Sequence, residues 1–224
     1  MGLIQFSGYE WITKDRMNSP IGPGPNYFNP NNAYVDQEGK LHLKTTYNDT
    51  LKRWECAQAT NVQSLGYGTY RFYIQGRVDN LDPQVVLGLY TYDDTDDKYA
   101  HREIDIEFSK WGNVDPTYKN SQYVIQPHEK DGNVRRFETT LNGESTTHEF
   151  KWTPQEVYFR SLHGFYKESP SNGYIINEWT YKGVDVPPAG HETPRINLWL
   201  SDGKAPQNGK EHEITIDKFE FDPY

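Results

Sequence analysis

Residues 103–108 read Glu-Ile-Asp-Ile-Glu-Phe, and this alternation of acidic and apolar side chains decides the fold class. Strict alternation predicts a β-strand, because successive side chains of a strand point to opposite faces of a sheet. Ile104, Ile106 and Phe108 then share one face, which we expect to be buried in a core. The other face carries a row of three carboxylates: Glu103, Asp105 and Glu107.

Three neighbouring carboxylates repel one another, so they need partners or a chemical role. Cleavage of a glycosidic bond uses one carboxylate at the sugar carbon and one carboxylic acid that protonates the leaving oxygen. A third acid between them separates their pKa values. The other interpretation is that the three acids form the solvated face of an edge strand. Their negative charge would then be balanced by Lys and Arg side chains across the sheet.

The catalytic interpretation requires curvature of the sheet. Glu103 and Glu107 lie ~13 Å apart on a flat strand. A retaining pair of carboxyl groups needs a separation of ~5 Å. We therefore expect the sheet to curve, with the three acids on its concave side.

The overall composition narrows the class of protein. The chain has 224 residues, a net charge of −9, 17 Tyr, 6 Trp and a single cysteine, Cys56. Its even composition predicts one domain over residues 1–224. The negative charge argues against nucleic acid or an anionic membrane as partner. One cysteine cannot form an intrachain disulfide or a thiolate zinc cluster.

Turn signals divide the chain into many short strands, without a long stretch of helical period. Segment 19–32 is rich in Pro, Gly and Asn and is predicted to be irregular. Asn142-Gly143 predicts a hairpin between 136–141 and 145–151. A phase shift in the apolar alternation between residues 212 and 221 predicts a bulge. The further strands are predicted at 9–12, 34–35, 41–46, 54–61, 70–75, 85–92, 121–126, 156–162 and 196–200.

This pattern predicts an all-β protein, a two-sheet antiparallel β-sandwich or jelly roll. With its strands in this order, the sequence resembles family 16 of the glycoside hydrolases, the lichenase and laminarinase group. The resemblance runs from about residue 38 to the C-terminus and centres on Glu-x-Asp-x-Glu at 103–107, without the family's bulge residue. The supporting segments are Gly-Lys-Leu at 39–41, Ser-Leu-Gly-Tyr-Gly-Thr-Tyr at 64–70, 85–92, Phe-Lys-Trp-Thr-Pro at 150–154 and Asn-Leu-Trp at 197–199.

The resemblance implies a curved sheet with a concave substrate cleft for a β-glucan chain and retaining hydrolysis. Glu103 would be the nucleophile, Glu107 the general acid/base and Asp105 the assisting carboxylate. Like-charge repulsion from Glu103 and Asp105 is expected to keep Glu107 protonated. For the aromatic rings among the implied substrate-binding residues, ordinary packing within the fold is the other interpretation. The implied residues are Gln58, Tyr90, Tyr92, His101, Gln122, Gln126, Asn197 and Trp199.

The sequence departs from the family around the catalytic strand. His101 stands where lichenases usually have Trp, and Gln58 and Thr60 stand where a Glu and an Arg hold sugar hydroxyls. Val124 and Gln126 replace polar and aromatic residues. Two functions therefore stay open: a retaining endo-acting β-glycosidase with a different polysaccharide substrate, and a carbohydrate-binding protein with weak or lost catalysis. A purely structural role gives no reason for three acids that point outward. A third function, a β-sandwich with only a structural role, is therefore disfavoured.

The resemblance also implies a structural Ca²⁺ ion, whereas catalysis needs no cofactor. Gly39 and Asp217 match the family's calcium positions, and Glu10 lies near them in the implied fold. Oxygen ligands suit Ca²⁺, although Asp217 as a plain surface acid is the other interpretation. We expect a monomer whose partner is a polysaccharide or oligosaccharide, with no nucleic acid or membrane partner. The substrate class favours a secreted or periplasmic location, although neither a signal peptide nor a membrane span is recognised.

Overall fold

The computed structural model describes residues 2–224, which form short β-strands joined by turns. The strands are β1 (Leu3–Phe6), β2 (Tyr9–Thr13), β3 (Arg16–Ile21), β4 (Asn26–Phe28), β5 (Ala33–Val35), β6 (Leu41–Asn48), β7 (Arg53–Asn61), β8 (Gly68–Gln75), β9 (Val85–Tyr92), β10 (Ile104–Phe108), β11 (Ser121–Ile125), β12 (Val134–Phe137), β13 (Ser145–Trp152), β14 (Val157–His163), β15 (Ile175–Tyr181), β16 (Thr193–Leu200) and β17 (His212–Pro223). Short 3-10 helices lie at Pro30–Asn32, Val78–Asn80, Ala100–Arg102, Asn172–Tyr174 and Ser201–Gly203. Within residues 2–224 no helix has the length and hydropathy that crossing a membrane requires.

Two sheets pack face to face. The first has the strand order β1-β2-β7-β16-β9-β10-β11-β12. The second has the order β5-β6-β17-β8-β13-β14-β15. Strand β6 links them, because its first half pairs with β17 and its last residues pair with β7. The predicted all-β sandwich is confirmed, and its described strand pairs are antiparallel apart from β4 with β7.

The apolar faces of the two sheets meet in a shared hydrophobic core. Ring contacts cross between the layers: Phe108 of β10 lies 4.7 Å from His148 of β13, and Tyr123 of β11 lies 4.8 Å from Phe159 of β14, measured between ring centroids. The apolar side chains of residues 104–108 are fully buried, as the alternation predicts. This burial fixes the register of β10, because a slip of one residue would turn its acids into the core. One domain over residues 1–224 stays a prediction.

Segment 19–32 is more regular than its composition predicts. It contains the end of β3, the whole of β4 and a 3-10 turn. β4 pairs in parallel with β7, with Tyr27 opposite Glu55 and Phe28 opposite Cys56. The prediction of an irregular segment was wrong because the edge of β7 supplies backbone hydrogen-bond partners that the local sequence does not reveal.

The predicted hairpin across Asn142-Gly143 is also wrong. β12 pairs with β11 in the first sheet, whereas β13 pairs with β8 and β14 in the second. The dipeptide therefore carries the chain from one sheet to the other. A turn dipeptide specifies a local change of direction, and it does not specify which strands hydrogen-bond.

The predicted bulge in β17 is confirmed by a register shift after Ile216, at Asp217. The Oδ1 atom of Asp217 lies 3.7 Å from Nζ of Lys40, and Glu10 accepts a hydrogen bond from a neighbouring glutamine. An ammonium group beside the candidate carboxylate does not fit a Ca²⁺ ligand set. Among residues 2–224, no group of three or more His, Cys, Asp or Glu side chains is arranged to hold a metal ion. Bound calcium stays a prediction that these contacts do not support.

A buried histidine links the core to the stability of the fold. The ring nitrogens of His148 lie 2.8 Å from Oγ of Ser161 and 2.9 Å from Oγ1 of Thr146. Burial lowers the pKa of His148 from 6.5 to about 3. Between pH 6.5 and 3, His148 therefore binds a proton in the unfolded chain but not in the folded protein. The free energy of unfolding falls as the pH drops through this range.

We expect His148→Gln to reduce this acid sensitivity, because the group that binds a proton on unfolding is gone. For one such proton, each pH unit below 6.5 lowers the free energy of unfolding of the wild type by up to ~1.4 kcal/mol. Between pH 7 and pH 4.5 the variant should lose roughly 2 kcal/mol less free energy of unfolding than the wild type. Urea denaturation at both pH values measures this, with the exposed His191→Gln as control. Equal losses in His148→Gln and wild type would contradict the prediction.

Candidate active site

A cleft of about 640 Å³ lies over the polar face of the first sheet. Its walls come from four neighbouring strands, β7, β16, β9 and β10, and from the segment that joins β2 to β4. Glu103, Asp105 and Glu107 all line this cleft, on the face opposite the buried apolar side chains of β10. Asp105 is the deepest of the three and is only 3% exposed.

The catalytic strand is regular, with space left beside it. Pairing of β10 with both neighbours runs without interruption from Ile104 to Phe108, so no bulge separates the acids. Glu107 lies opposite Gly88 of β9. A Cβ atom on Gly88 would collide with the side chain of Asn197. Glycine at this position therefore allows Asn197 to approach the floor of the cleft beside Glu107.

A strained turn leads into β10. Ala100, His101 and Arg102 have φ angles of 49°, 58° and 52°. This left-handed region costs a non-glycine residue roughly 1–2 kcal/mol, so neighbouring contacts must hold the turn. Arg102 donates a 2.7 Å hydrogen bond to the carboxylate of Asp93, whose backbone N–H donates to the carbonyl of His101. These contacts fix the direction in which the chain enters at Glu103.

The Asp93 carboxylate is well suited to this structural role. Burial alone would raise the pKa of Asp93, but hydrogen bonds from Thr95 and from the backbone of His191, together with the charge of Arg102, lower it to about 2. Asp93 therefore stays ionised at neutral pH and keeps its ion pair with Arg102. The turn before the three acids is thus held by a buried charge pair.

Burial is the main cause that raises the pKa values of all three cleft acids. The pKa of Glu103 is raised to about 7 by burial and by the charge of Glu107. The pKa of Asp105 is raised well above its ordinary value by burial and then by the charges of both glutamates. A hydrogen bond joins Asp105 to Glu103, raising the pKa of the former and lowering that of the latter. The protonated form of Asp105 is therefore favoured, and Asp105 donates a hydrogen bond to the Glu103 carboxylate.

The pKa of Glu107 is raised as well. Burial raises its pKa, while nearby basic side chains and the amide of Gln122 lower it. Nε2 of Gln122 donates to Oε2 of Glu107 at 2.6 Å. Repulsion between like charges also acts within the group, since the charge of Glu107 raises the pKa of Glu103, and both glutamates raise that of Asp105. Burial is the largest cause that favours the protonated form of Glu107.

Several of the predicted substrate-binding residues line the cleft, namely Gln58, Tyr90, Tyr92, Asn197 and Trp199. Three of them form a hydrogen-bonded row across its floor. Nδ2 of Asn197 donates to the Tyr90 hydroxyl at 3.1 Å, and that hydroxyl donates to Oε1 of Gln58 at 3.3 Å. Oδ1 of Asn197 is buried without a hydrogen-bond partner among the described residues. The row holds its polar groups in fixed positions.

The other predicted residues contact the acids or a cleft ring and do not themselves line the cleft. Gln122 holds Glu107, and Nε2 of Gln126 donates to Oδ2 of Asp105 at 3.2 Å. His101 stacks on Tyr92 with ring centroids 4.6 Å apart. These three side chains therefore position groups that face the cleft.

Sequence reasoning missed five charged residues in the lining, namely Lys14, Asp15, Arg16, Asp94 and Arg195. Arg195 had a sequence signal, because it precedes Asn197 by two residues and shares its strand face. Lys14 and Arg16 had none. They reach the cleft because β2 pairs with β7, and no local pattern predicts that pairing.

Comparisons with known proteins support the fold. Neither a scan against protein-family models nor a search of curated proteins finds a match. The β-glucanase of Bacillus licheniformis has a TM-score of 0.69 at 18% identity, with 96% of this chain and 92% of that chain covered. A β-1,3-1,4-glucanase (lichenase) from a mouse hindgut metagenome gives 0.65 at 18% identity, with 96% and 93% covered.

A third solved structure carries a different description. It is a pseudo β-1,3-glucanase and immunostimulatory antigen of Mycobacterium tuberculosis, with a TM-score of 0.60 at 19% identity and coverage of 92% of this chain and 88% of that chain. The chain therefore has the jelly-roll fold of the lichenase-type glucanases, as the resemblance implied. At these identities the likeness concerns the fold, and the chemistry of the site rests on its residues.

We expect Glu103→Gln to stabilise the protein above pH 7. The pKa of Glu103 is raised from 4.5 to about 7, so the wild type loses stability as the pH rises from 4.5 through 7. Removing this ionisable group should raise the free energy of unfolding by roughly 1–3 kcal/mol at pH 8 and by little at pH 4. Thermal unfolding at both pH values measures the gain, and Glu138→Gln, at an exposed acid, should show none. A Glu103→Gln protein that is no more stable at pH 8 would refute this electrostatic description.

Proposed function

We propose that the protein is a retaining β-glycosidase that cleaves within a β-linked, β-glucan-like polysaccharide. The observation that carries the proposal is the row of three acids with raised pKa values along one wall of the cleft. Burying several carboxyl groups together costs free energy, so a purely structural role offers no reason for it. The jelly-roll fold shared with glucanases adds support.

In the proposed first step, the Glu103 carboxylate attacks the anomeric carbon while the bond from that carbon to the glycosidic oxygen breaks. Glu107 gives its proton to the departing oxygen. In the second step, water attacks the anomeric carbon, its proton passes to Glu107, and the bond to Glu103 breaks. Two displacements at one carbon retain its configuration.

The contacts of each acid suit these roles. Burial raises the pKa of Glu103 to about 7 and the hydrogen bond from Asp105 opposes this rise, so the ionised form that attack requires predominates above pH 7. The raised pKa of Glu107 favours the protonated form that the leaving oxygen requires. Gln122, whose Nε2 lies 2.6 Å from Oε2 of Glu107, holds that carboxyl group in place in the cleft.

A second candidate is a carbohydrate-binding protein with weak or lost catalysis. Gln58 and Thr60 line the cleft where the resembled family has a Glu and an Arg for sugar hydroxyls. One structural neighbour is itself described as a pseudo-glucanase. This candidate predicts affinity for a glycan, no release of reducing ends, and no effect of Glu103→Gln on binding.

The roles of the two glutamates can be separated with a substrate that has a good leaving group. We expect Glu107→Ala to retain slow cleavage of an activated aryl β-glycoside and to be accelerated by azide, because this leaving group needs no proton and azide replaces the activated water. Glu103→Ala should lack both properties, because it has lost the attacking group. NMR of the first-formed anomer, with the wild type as reference, should show retention. An inverted product, or equal loss in both variants without an azide effect, would contradict the assignment.

We also expect poor hydrolysis of mixed-linkage cereal β-glucan, despite the three acids. Each sugar hydroxyl or protein group left unpaired in a buried subsite costs ~1–3 kcal/mol. Two or three such losses, from the replacements at residues 58, 60, 101, 124 and 126, lower kcat/KM by roughly two to five orders of magnitude. Reducing-end assays on cereal β-glucan, with Glu103→Gln as the blank, measure the rate. Turnover at the level of an efficient lichenase would refute this prediction.

A further inference from the structure

The two ends of the cleft differ in charge. The three acids stand at β10, whereas Lys14 and Arg16 line the far part of the cleft and Arg195 lies between; these three cations are here called the basic end. Arg195 is level with Asp105 at a distance of two strands, and its charge lowers the pKa of Glu103. Lys14 directly follows β2, Arg16 begins β3, and Arg195 lies on β16. Strand β2 is separated from β10 by β7, β16 and β9. Four strand spacings of ~4.8 Å place the far edge of the cleft ~19 Å from the acids, measured along the sheet.

The basic end has more positive than negative charge, although the whole chain carries −9. Two acids, Asp15 and Asp94, line the same part of the cleft. Asp94 forms an ion pair with Arg195. Three cations and two acids leave one positive charge in excess. In a strongly acidic protein, such a local excess inside a cleft points to an anionic ligand.

The Lys14 ammonium is held by neutral groups. Nζ donates to the carbonyl of Gly22 at 2.7 Å and to Oε1 of Gln58 at 3.2 Å. It lies 4.1 Å from the ring centroid of Phe28. Burial and the charges of Arg195 and Arg16 lower the pKa of Lys14 to about 8. Burial and the two arginines therefore disfavour the charge of Lys14, and an anion bound in the cleft would relieve that cost.

Arg195 is held in place for recognition. Its guanidinium lies 4.7 Å from the ring centroid of Tyr92 and donates to Oγ1 of Thr193 and to the backbone carbonyl of Tyr92, each at 3.4 Å. Tyr92 in turn stacks on His101. A guanidinium fixed in this way loses little side-chain entropy when it binds a planar anion.

We propose that the basic end binds an acidic substituent of the polysaccharide, a carboxylate or a sulfate ester, so that the substrate is an anionic β-linked glycan. The proposal rests on the proposed function and names its substrate class. Lys and Arg are the side chains that form charge-assisted hydrogen bonds with such groups. The acids on β10 repel the same substituents, so the charge pattern of the cleft sets the register of the bound chain. Charged sugars lie at the basic end, and an uncharged sugar faces Glu103.

Matched polymers provide the test. β-1,3-, β-1,4- and mixed-linkage glucans are each prepared in a neutral form, a form oxidised to the carboxylate at C6, and a sulfated form. The full chain is assayed for release of reducing ends, and binding to each polymer is followed by affinity electrophoresis. We expect at least one charged form to exceed its neutral parent about tenfold in kcat/KM, and the preference to shrink as salt rises. The carboxylate and sulfate series distinguish the two sources of charge.

Variants locate the effect. The Lys14→Gln/Arg16→Gln double variant should lose the preference for the charged polymer through a higher KM for that polymer. Arg16→Gln alone, at an exposed side chain, should show part of this loss without a risk to folding. The control is Lys204→Gln/Lys210→Gln, which removes the same charge from exposed lysines outside the cleft lining and should keep the preference.

The outcomes separate this proposal from the proposed function. Cleavage of neutral polymers as fast as their charged forms, or a preference that survives in the double variant, would overturn the anionic substrate and leave the glycosidase intact. Binding to charged polymers that the double variant loses, without cleavage of any polymer, would overturn the glycosidase and support the basic end as an anion site. A chain that neither binds nor cleaves any of these polymers would contradict both.

Discussion

Burial of the apolar face of β10 is the constraint on which the rest of the structure depends. Ile104, Ile106 and Phe108 are fully buried between the two sheets. Because side chains alternate along a strand, this packing turns the three acids outward together, and a register slip would place charges in the core. The neighbouring strands then supply the groups beside the acids: Gly88 leaves space, and Gln122 holds Glu107. Core packing thus determines the geometry of the cleft wall.

The same dense surroundings determine the chemistry of the acids. Removing water raises the pKa values of all three groups and strengthens the hydrogen bonds that remain. Asp105 favours its protonated form and donates a hydrogen bond to Glu103. Burial raises the pKa of Glu107, and the hydrogen bond from Gln122 opposes this rise. A strained turn leads into the strand and is held by the Arg102 and Asp93 pair. Strain and buried charge at one place destabilise a fold, and proteins tolerate them where function requires them.

The two ends of the cleft arise from the chain in different ways. The acidic end comes from one short strand, so its residues are neighbours in sequence as well as in space. The basic end combines the end of β2, the start of β3 and one residue of β16, which meet because β7 pairs with both β2 and β16. Charge separation along the cleft is therefore a property of the assembled sheet, and it distinguishes this cleft from a neutral, purely hydroxyl-binding groove.

The sequence alone determined the fold class, the strand that carries the acids, the bulge in β17 and those cleft residues that share a strand face, such as Tyr90 with Tyr92 and Asn197 with Trp199. These features follow from alternation and turn residues, which act over a few positions. The tertiary structure decided which strands pair, so the expected hairpin at Asn142-Gly143 does not form and β4 joins β7. It also brought Lys14 into the cleft and raised the pKa values of the acids. Strand partners and burial depend on contacts between distant segments, and local sequence patterns do not encode them.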